Sequence, residues 1–184
     1  MIKDWPLIKS SKGSDYSLFC VRIDTALSPR TGKAHDFYVI DTQDWVTVVP
    51  LTSASEVVMV RQFRHGIKGV TLETPGGLVD QDDDPLRCAQ RELLEETGYK
   101  AREMELLGQL YPQPALFNNR FFVYLGRDAQ KVAPQCQDEG EDLEVVLVPL
   151  QDIKEMISRG EIRHALVLAA FQLFFLHVEG RGSF

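Results

Sequence analysis

Glu92, Glu95 and Glu96 crowd into the stretch RELLEETG, Arg91 to Gly98. On a helix, like charges three and four positions apart repel. Asp84-Pro85 reads as a helix start, an aspartate N-cap followed by proline at the first helical position, and Gly98 reads as a stop. At about 100° per residue the glutamates fall within one arc of roughly a third of the circumference. Leu86, Ala89 and Leu93 fall on a different arc, which can bury itself. One side of the predicted helix faces a core and another presents carboxylates to a common point. Convergent carboxylates suit a hard divalent cation. Mg²⁺ takes oxygen ligands in octahedral geometry and bridges a protein carboxylate to a substrate phosphate. Binding it would relieve the repulsion. No lysine lies one turn away to do so, although Arg87 and Arg91 are near. A lone charge cluster is more often a solvated helix face. Here a Gly-Gly turn, Gly76-Gly77, sits upstream, which that reading does not require.

The elements that must hold this helix are mostly strands. Residues 17–26 and 36–41 flank the turn chemistry of SPRTGK. DWVTVVP and EVVMVRQF are β-branched runs separated by LTSAS, which predicts a second hairpin. VTLET follows, and PGG breaks it. After the helix from Pro85 to Thr97 come LLGQLYP, NRFFVYLG and LEVVLVPL, three strand-like runs. A short helix near Asp152–Ser158 and a longer one from Glu161 to about Val178 close the chain. Strands, a helix, more strands and then helices make an α+β plan rather than alternating β/α units. Residues 1–45 are expected to form a small antiparallel β-unit and residues 46–184 the main domain.

The 184-residue chain is long enough for one good core. A net charge of −7 argues against nucleic-acid binding by plain electrostatics. Cys20, Cys88 and Cys136 are odd in number and far apart, as free thiols of a cytoplasmic protein would be. The most apolar run, ALVLAAFQLFFLHV, is too short to span a bilayer, so no membrane association is expected. The four histidines, His35, His65, His164 and His177, form no visible constellation in sequence.

GLVDQDDDPLRCAQRELLEETGY resembles the Nudix box, G-x5-E-x7-R-E-U-x-E-E-x-G-U with U aliphatic. Gly77, Arg91, Glu92, Leu93, Glu95, Glu96 and Gly98 match in register, while Asp83 replaces the box glutamate and Tyr99 the last aliphatic residue. VVMVRQFRHGI…LETPGG, and Pro114 beyond the box, resemble the ADP-ribose pyrophosphatase and nucleoside diphosphate sugar hydrolase branch of Nudix hydrolases. The glycine that follows the family's proline is Ala115 here. The acidic loop QDEGEDLEVV resembles the family's Glu-x-Glu-Asp segment, and EIRHALVLAAFQLF its closing helix.

The resemblance implies a Nudix fold, a mixed β-sheet sandwiched between helices, with an N-terminal β-unit that joins or swaps in a homodimer. It implies Mg²⁺-dependent hydrolysis of the diphosphate bond of ADP-ribose or a related nucleoside diphosphate sugar, with Mn²⁺ as a substitute ion. The products would be a nucleoside monophosphate and a sugar phosphate. Glu92, Glu95, Glu96, Glu141 and the Gly76 carbonyl become metal ligands. Arg91 orients the glutamates, and Glu139 is the candidate general base, with Glu95 next in line. Arg64, Glu73, Phe19, Phe37, Pro114 and Leu116 become substrate contacts, the two phenylalanines by stacking on the base. Arg61, three positions from Arg64 on a strand, faces the other side and is structural. Rival readings are a nucleoside triphosphate or capped-RNA pyrophosphohydrolase and a Nudix-fold sensor that binds without cleaving. The intact Glu92, Glu95 and Glu96 disfavour the sensor.

Overall fold

The computed structural model describes residues 2–137 and 140–180. The chain divides into two compact units. One comprises residues up to Asp44 together with Tyr111–Arg120, and the other comprises Trp45–Leu110 and Phe121 onward.

In the first unit, β1 (Leu7–Asp15), β2 (Phe19–Leu27) and β3 (Ala34–Thr42) make an antiparallel three-stranded sheet in the order β1-β2-β3. β1 escaped the sequence reading because it lacks an apolar period: it is exposed along nearly its whole length. The segment Tyr111–Arg120 is tied to β3 and its end. Ile40 N–H donates to Leu116 O at 2.8 Å, Asn118 donates to Asp41 at 2.7 Å, and Arg120 pairs with Asp44.

The second unit is built on β4 (Trp45–Pro50), β5 (Glu56–Arg64), β6 (Gly69–Glu73), β8 (Glu103–Leu110), β9 (Phe121–Arg127) and β11 (Leu143–Pro149). The short β7 (Tyr99–Lys100) and β10 (Gln130–Lys131) pair with each other. The larger sheets run β4-β9-β8 and β11-β5-β6. β4 and β9 are parallel while β8 and β9 are antiparallel, so the first of these sheets is mixed. Its side chains alternate with period two. Val46, Val48, Phe122 and Tyr124 pack on Cys88, Ala89 and Leu93 of α1 (Pro85–Thr97). Val49, Phe121, Val123 and Leu125 face the opposite way. They join Val57 and Met59 of β5, Ile153 of α2 (Ile153–Ser158), and Phe171 and Phe174 of α3 (Ala165–Val178). The sheet is thus sandwiched between α1 and α3. No described helix is long and apolar enough to cross a membrane.

The expected second hairpin does not form. LTSAS is a genuine tight turn, with Ser55 at φ 59° and Ser55 N–H donating to Thr52 O. Its two sides are linked at the bridge Leu51–Val57 and by Thr52 N–H donating to Glu56 O, after which β4 pairs with β9 and β5 with β6 and β11. The reason is burial: Val46 to Pro50 are all buried, so β4 has two apolar faces to cover and takes a place between helices instead of folding back on β5. The last helix begins at Ala165 rather than Glu161. Gly160 at φ 73° breaks the chain, and Ile162 turns into the core before the helix starts. Ala115 needs no positive φ. Leu116 N–H and Phe117 N–H both donate to Gln113 O, so Pro114-Ala115 lies in a tight turn that any residue adopts.

Candidate active site

The glutamate helix starts and stops as its residues dictate. Asp84 accepts from Leu86 N–H and Arg87 N–H, Pro85 follows, and Gly98 caps the C-terminus at φ 73°. The buried face includes Cys88, Ala89 and Leu93 as expected, but also Glu96. Glu92 and Glu96, four apart, turn inward, whereas Glu95 remains 43% exposed beside Arg91. Arg91 reaches both neighbours: its Nη1 donates to Glu92 Oε1 at 3.0 Å and to Glu95 Oε2 at 3.3 Å. The shortened Asp83 lies 3.8 Å from the guanidinium and Asp80 3.9 Å, a looser bracket than a direct bond.

The Gly-Gly turn exists because the backbone is pressed between β4 and this helix. Val48 N–H donates to Pro75 O and Val46 N–H to Gly77 O. Between them, Gly76 N–H donates to Glu96 Oε2 at 3.0 Å. A Cβ on Gly76 would fall 2.1 Å from Val46 O, and one on Gly77 would fall 2.7 Å from the carboxyl carbon of Glu92. Both glycines are required by close approach, one to a strand and one to a carboxylate.

Glu96 is 5% exposed. Burial pushes its pKa up to about 8, with the charges of Glu92 and Glu141 adding to the shift and the Gly76 N–H and Arg64 opposing it. A buried carboxylate raised by burial and by the charges of its acidic neighbours is what a divalent cation stabilises. Among the described residues no three acidic, histidine or cysteine groups stand already arranged as a metal cage. The donor set nevertheless fits a hard ion: it is all oxygen, and the Gly77 cradle holds Glu92 in place. Glu139 lies outside the described residues.

Arg64 lies between these acids and a second feature. Its Nε donates to Glu73 Oε1 at 2.8 Å and its Nη2 to Glu73 Oε2 at 2.7 Å, and it also feels the charges of Glu96 and Glu141. Glu73 is buried. Burial alone would raise its pKa, but bonds from Arg64 and Thr71 and the Arg64 charge outweigh that and hold it below the usual carboxylate range. Arg61 instead makes an exposed pair with Glu144 at 2.9 Å. A cavity of about 560 Å³ opens beside Arg64, Glu73, Gly76 and Gly77, walled by Trp45, Phe121 and the start of α3.

The remaining predicted contacts, Phe19, Phe37, Pro114 and Leu116, belong to the first unit. Phe19 packs against Tyr16 with ring centroids 5.0 Å apart, and Phe37 against Trp5 at 5.3 Å. Phe37 pairs with Asp24, five positions from Phe19 on the same strand, so the two rings project from opposite faces of the sheet. They cannot clamp one base within a single copy. Sequence reasoning passed over His164, which lines the cavity beside Glu73. Only the fold brings these residues together, and no local spacing signals it.

The NUDIX domain family model matches residues 41–171, and the chain belongs to that family. It is 33% identical to the GDP-mannose pyrophosphatase of Salmonella arizonae, across 98% of this chain and 100% of that protein. It is 29% identical to the ADP-ribose pyrophosphatase of Bacillus subtilis across 77% of each chain. Among solved structures, an ADP compounds hydrolase superposes with a TM-score of 0.87 at 21% identity, covering 100% of this chain and 99% of that one. The box resemblance and the α+β Nudix fold expected from sequence are both borne out. The chain is a Nudix hydrolase.

Proposed function

We propose that the protein hydrolyses the diphosphate bond of a nucleoside diphosphate sugar in the presence of Mg²⁺, giving a nucleoside monophosphate and a sugar phosphate. The observation that carries this reading is the buried Glu96, facing Glu92, Glu141 and Arg64 at the Gly76-Gly77 turn. Glu92, Glu95, Glu96, Glu141 and the Gly76 carbonyl would hold the ion, with Mn²⁺ as a substitute. When bound there, such an ion would supply the charge that polarises a diphosphate and an attacking water. Arg91 keeps Glu92 and Glu95 in place through charge-assisted hydrogen bonds. Glu73 fixes the Arg64 guanidinium and leaves its Nη1 edge for the diphosphate. Glu139 takes the proton of the attacking water. The names of the relatives make GDP-mannose and ADP-ribose the first substrates to assay.

The working unit is a homodimer built through the N-terminal sheet. Support comes from the apolar side chains that this sheet leaves exposed in one copy, among them Leu7, Leu18 and Tyr38 at 58%, 64% and 60%. Phe19 or Phe37, with Pro114 and Leu116, would then contact the substrate. Light scattering at micromolar concentration should give twice the chain mass, and a fully active monomer would refute a shared site. Free Cys20, Cys88 and Cys136 fit a reducing cytoplasm. The test of the activity is a panel of nucleoside diphosphate sugars incubated with Mg²⁺, with products identified by mass spectrometry. A monophosphate plus a sugar phosphate is expected, and turnover of none of the panel would overturn the reading.

A further inference from the structure

We infer that His164 and Glu73 together read a hydroxyl group of a sugar ring, making His164 a specificity-determining residue of the cavity beside the diphosphate site. This rests on the nucleoside diphosphate sugar reading above and says which end of the cavity recognises sugar.

Glu73 Oε1 accepts from both Arg64 Nε and Thr71 Oγ1, while Oε2 accepts only from Arg64 Nη2. The spare acceptor capacity of this buried carboxylate therefore lies on Oε2. That is the oxygen nearest the His164 ring, with Nε2 4.0 Å away. This is too long for a direct hydrogen bond.

The other ring nitrogen fixes the proton. His164 Nδ1 is sealed from solvent and has no hydrogen-bond partner. A buried N–H without an acceptor is rarer and more costly than an unused lone pair. Nε2, the nitrogen nearest Glu73, is therefore the one that carries a proton and donates. A donor and an acceptor 4.0 Å apart can share one group that is both acceptor and donor. With bonds of about 2.8 Å to each side, the angle at the bridging oxygen is about 90°, within reach of hydroxyl geometry.

The chemistry selects an alcohol over a phosphate. A phosphate oxygen accepts from Nε2–H but has no proton for Glu73, whose charge would repel it. Arg64 and Glu73 already neutralise each other along two bonds, so the pair does not draw an anion into this end of the cavity. The surrounding wall, Trp45, Phe121, Leu166 and Val167, is apolar and suits the face of a sugar ring. The hydroxyl belongs either to the sugar beyond the diphosphate or to the ribose of the nucleoside, and different substrates distinguish the two.

The test compares the parent with His164→Asn, which suits the N-cap position of α3 but is too short to reach Glu73, and His164→Gln, whose amide reaches about as far as Nε2. Each is assayed on GDP-mannose, on GDP carrying a plain alkyl chain instead of mannose, and on 2′,3′-dideoxy-GDP-mannose. The parent should favour GDP-mannose over at least one analogue by about 10- to 100-fold in kcat/KM, chiefly through KM, as expected for one buried hydrogen-bonding pair. His164→Asn should lose that preference and His164→Gln should keep most of it. Loss against the alkyl compound assigns the hydroxyl to the distal sugar, and loss against the dideoxy compound assigns it to the ribose. An unchanged preference in His164→Asn, or an equal fall on all three substrates, overturns the inference. Saturation-transfer NMR with mannose 1-phosphate and with GMP needs no turnover and separates this inference from the activity. Transfer to sugar-ring protons in the parent that disappears in His164→Asn supports the hydroxyl pair even if nothing is hydrolysed, and no transfer from the parent overturns it.

Discussion

Replacing Glu96 by glutamine should abolish hydrolysis while making the metal-free protein more stable in alkali. The carboxyl has an ordinary value of 4.5 in an open chain and is pushed up to about 8 in the fold by burial, with Glu92 and Glu141 adding. Between these values the folded protein holds a proton that the unfolded chain has released. Stability from this group is therefore fully present below pH 4.5, falls as pH rises, and is gone once pH passes about 8. At about 1.4 kcal/mol per pKa unit, the full span is worth up to about 5 kcal/mol. Relaxation of Glu92 and Glu141 reduces the net effect to about 2–5 kcal/mol. Glutamine keeps the acceptor for Gly76 N–H and has no charge to bury. In EDTA at pH 8.5, Glu96→Gln should unfold about 5–15 °C above the parent, and at pH 4 the two should agree within a few degrees. Saturating Mg²⁺ should reverse the order, because only the parent gains from ion binding. Equal stability of the two proteins at pH 8.5 in EDTA would refute the electrostatic account, and parental turnover by the variant would refute the ligand assignment.

Gly77→Ala should keep the fold, read by circular dichroism, but lower kcat about 10- to 100-fold, because its Cβ would come within 2.7 Å of the Glu92 carboxyl carbon and displace it. Arg64→Ala leaves Glu73 buried without its main partner and should cost about 2–4 kcal/mol in urea unfolding at pH 7. Because the Glu73 carboxyl is held below its ordinary 4.5, that difference should be present above pH 4.5 and shrink as pH falls below it. Glu139→Gln should slow single turnovers by about 10²- to 10⁴-fold without rescue by Mg²⁺, whereas excess Mg²⁺ should partly restore Glu141→Gln. The opposite pattern of rescue would exchange their roles.

What could be read before the structure was local. The α1 cap is set by Asp84-Pro85 and its stop by Gly98, both within a few residues of the bonds they make. The match of Gly77 through Gly98 to the box pattern carries the family with it because chemistry fixes that spacing. Pairing was not legible in the same way. LTSAS makes the turn its composition predicts, yet the strands on either side diverge because the burial of β4 on both faces is satisfied by α1, α3 and β9. A turn fixes four residues; it does not decide which strands share a sheet.

The same distinction explains why the burial of Glu96 and the place of His164 were not legible in sequence. On a helical wheel Glu96 shares an arc with Glu92 and Glu95, which marks it as a candidate metal ligand without showing that it is buried. Its burial comes from Gly76, twenty residues upstream, whose N–H it accepts across the turn. His164 is one of four scattered histidines, and nothing around it in IRHAL marks it. Its place opposite Glu73 depends on Gly160 and Ile162, which hold the chain out of helix until Ala165 and so set the ring at the cavity wall. In both cases the chemistry of the side chain was plain and its surroundings were supplied by residues distant in sequence. The box fixes where the diphosphate chemistry happens, and the long-range contacts at Glu73 and His164 fix what the neighbouring cavity can recognise.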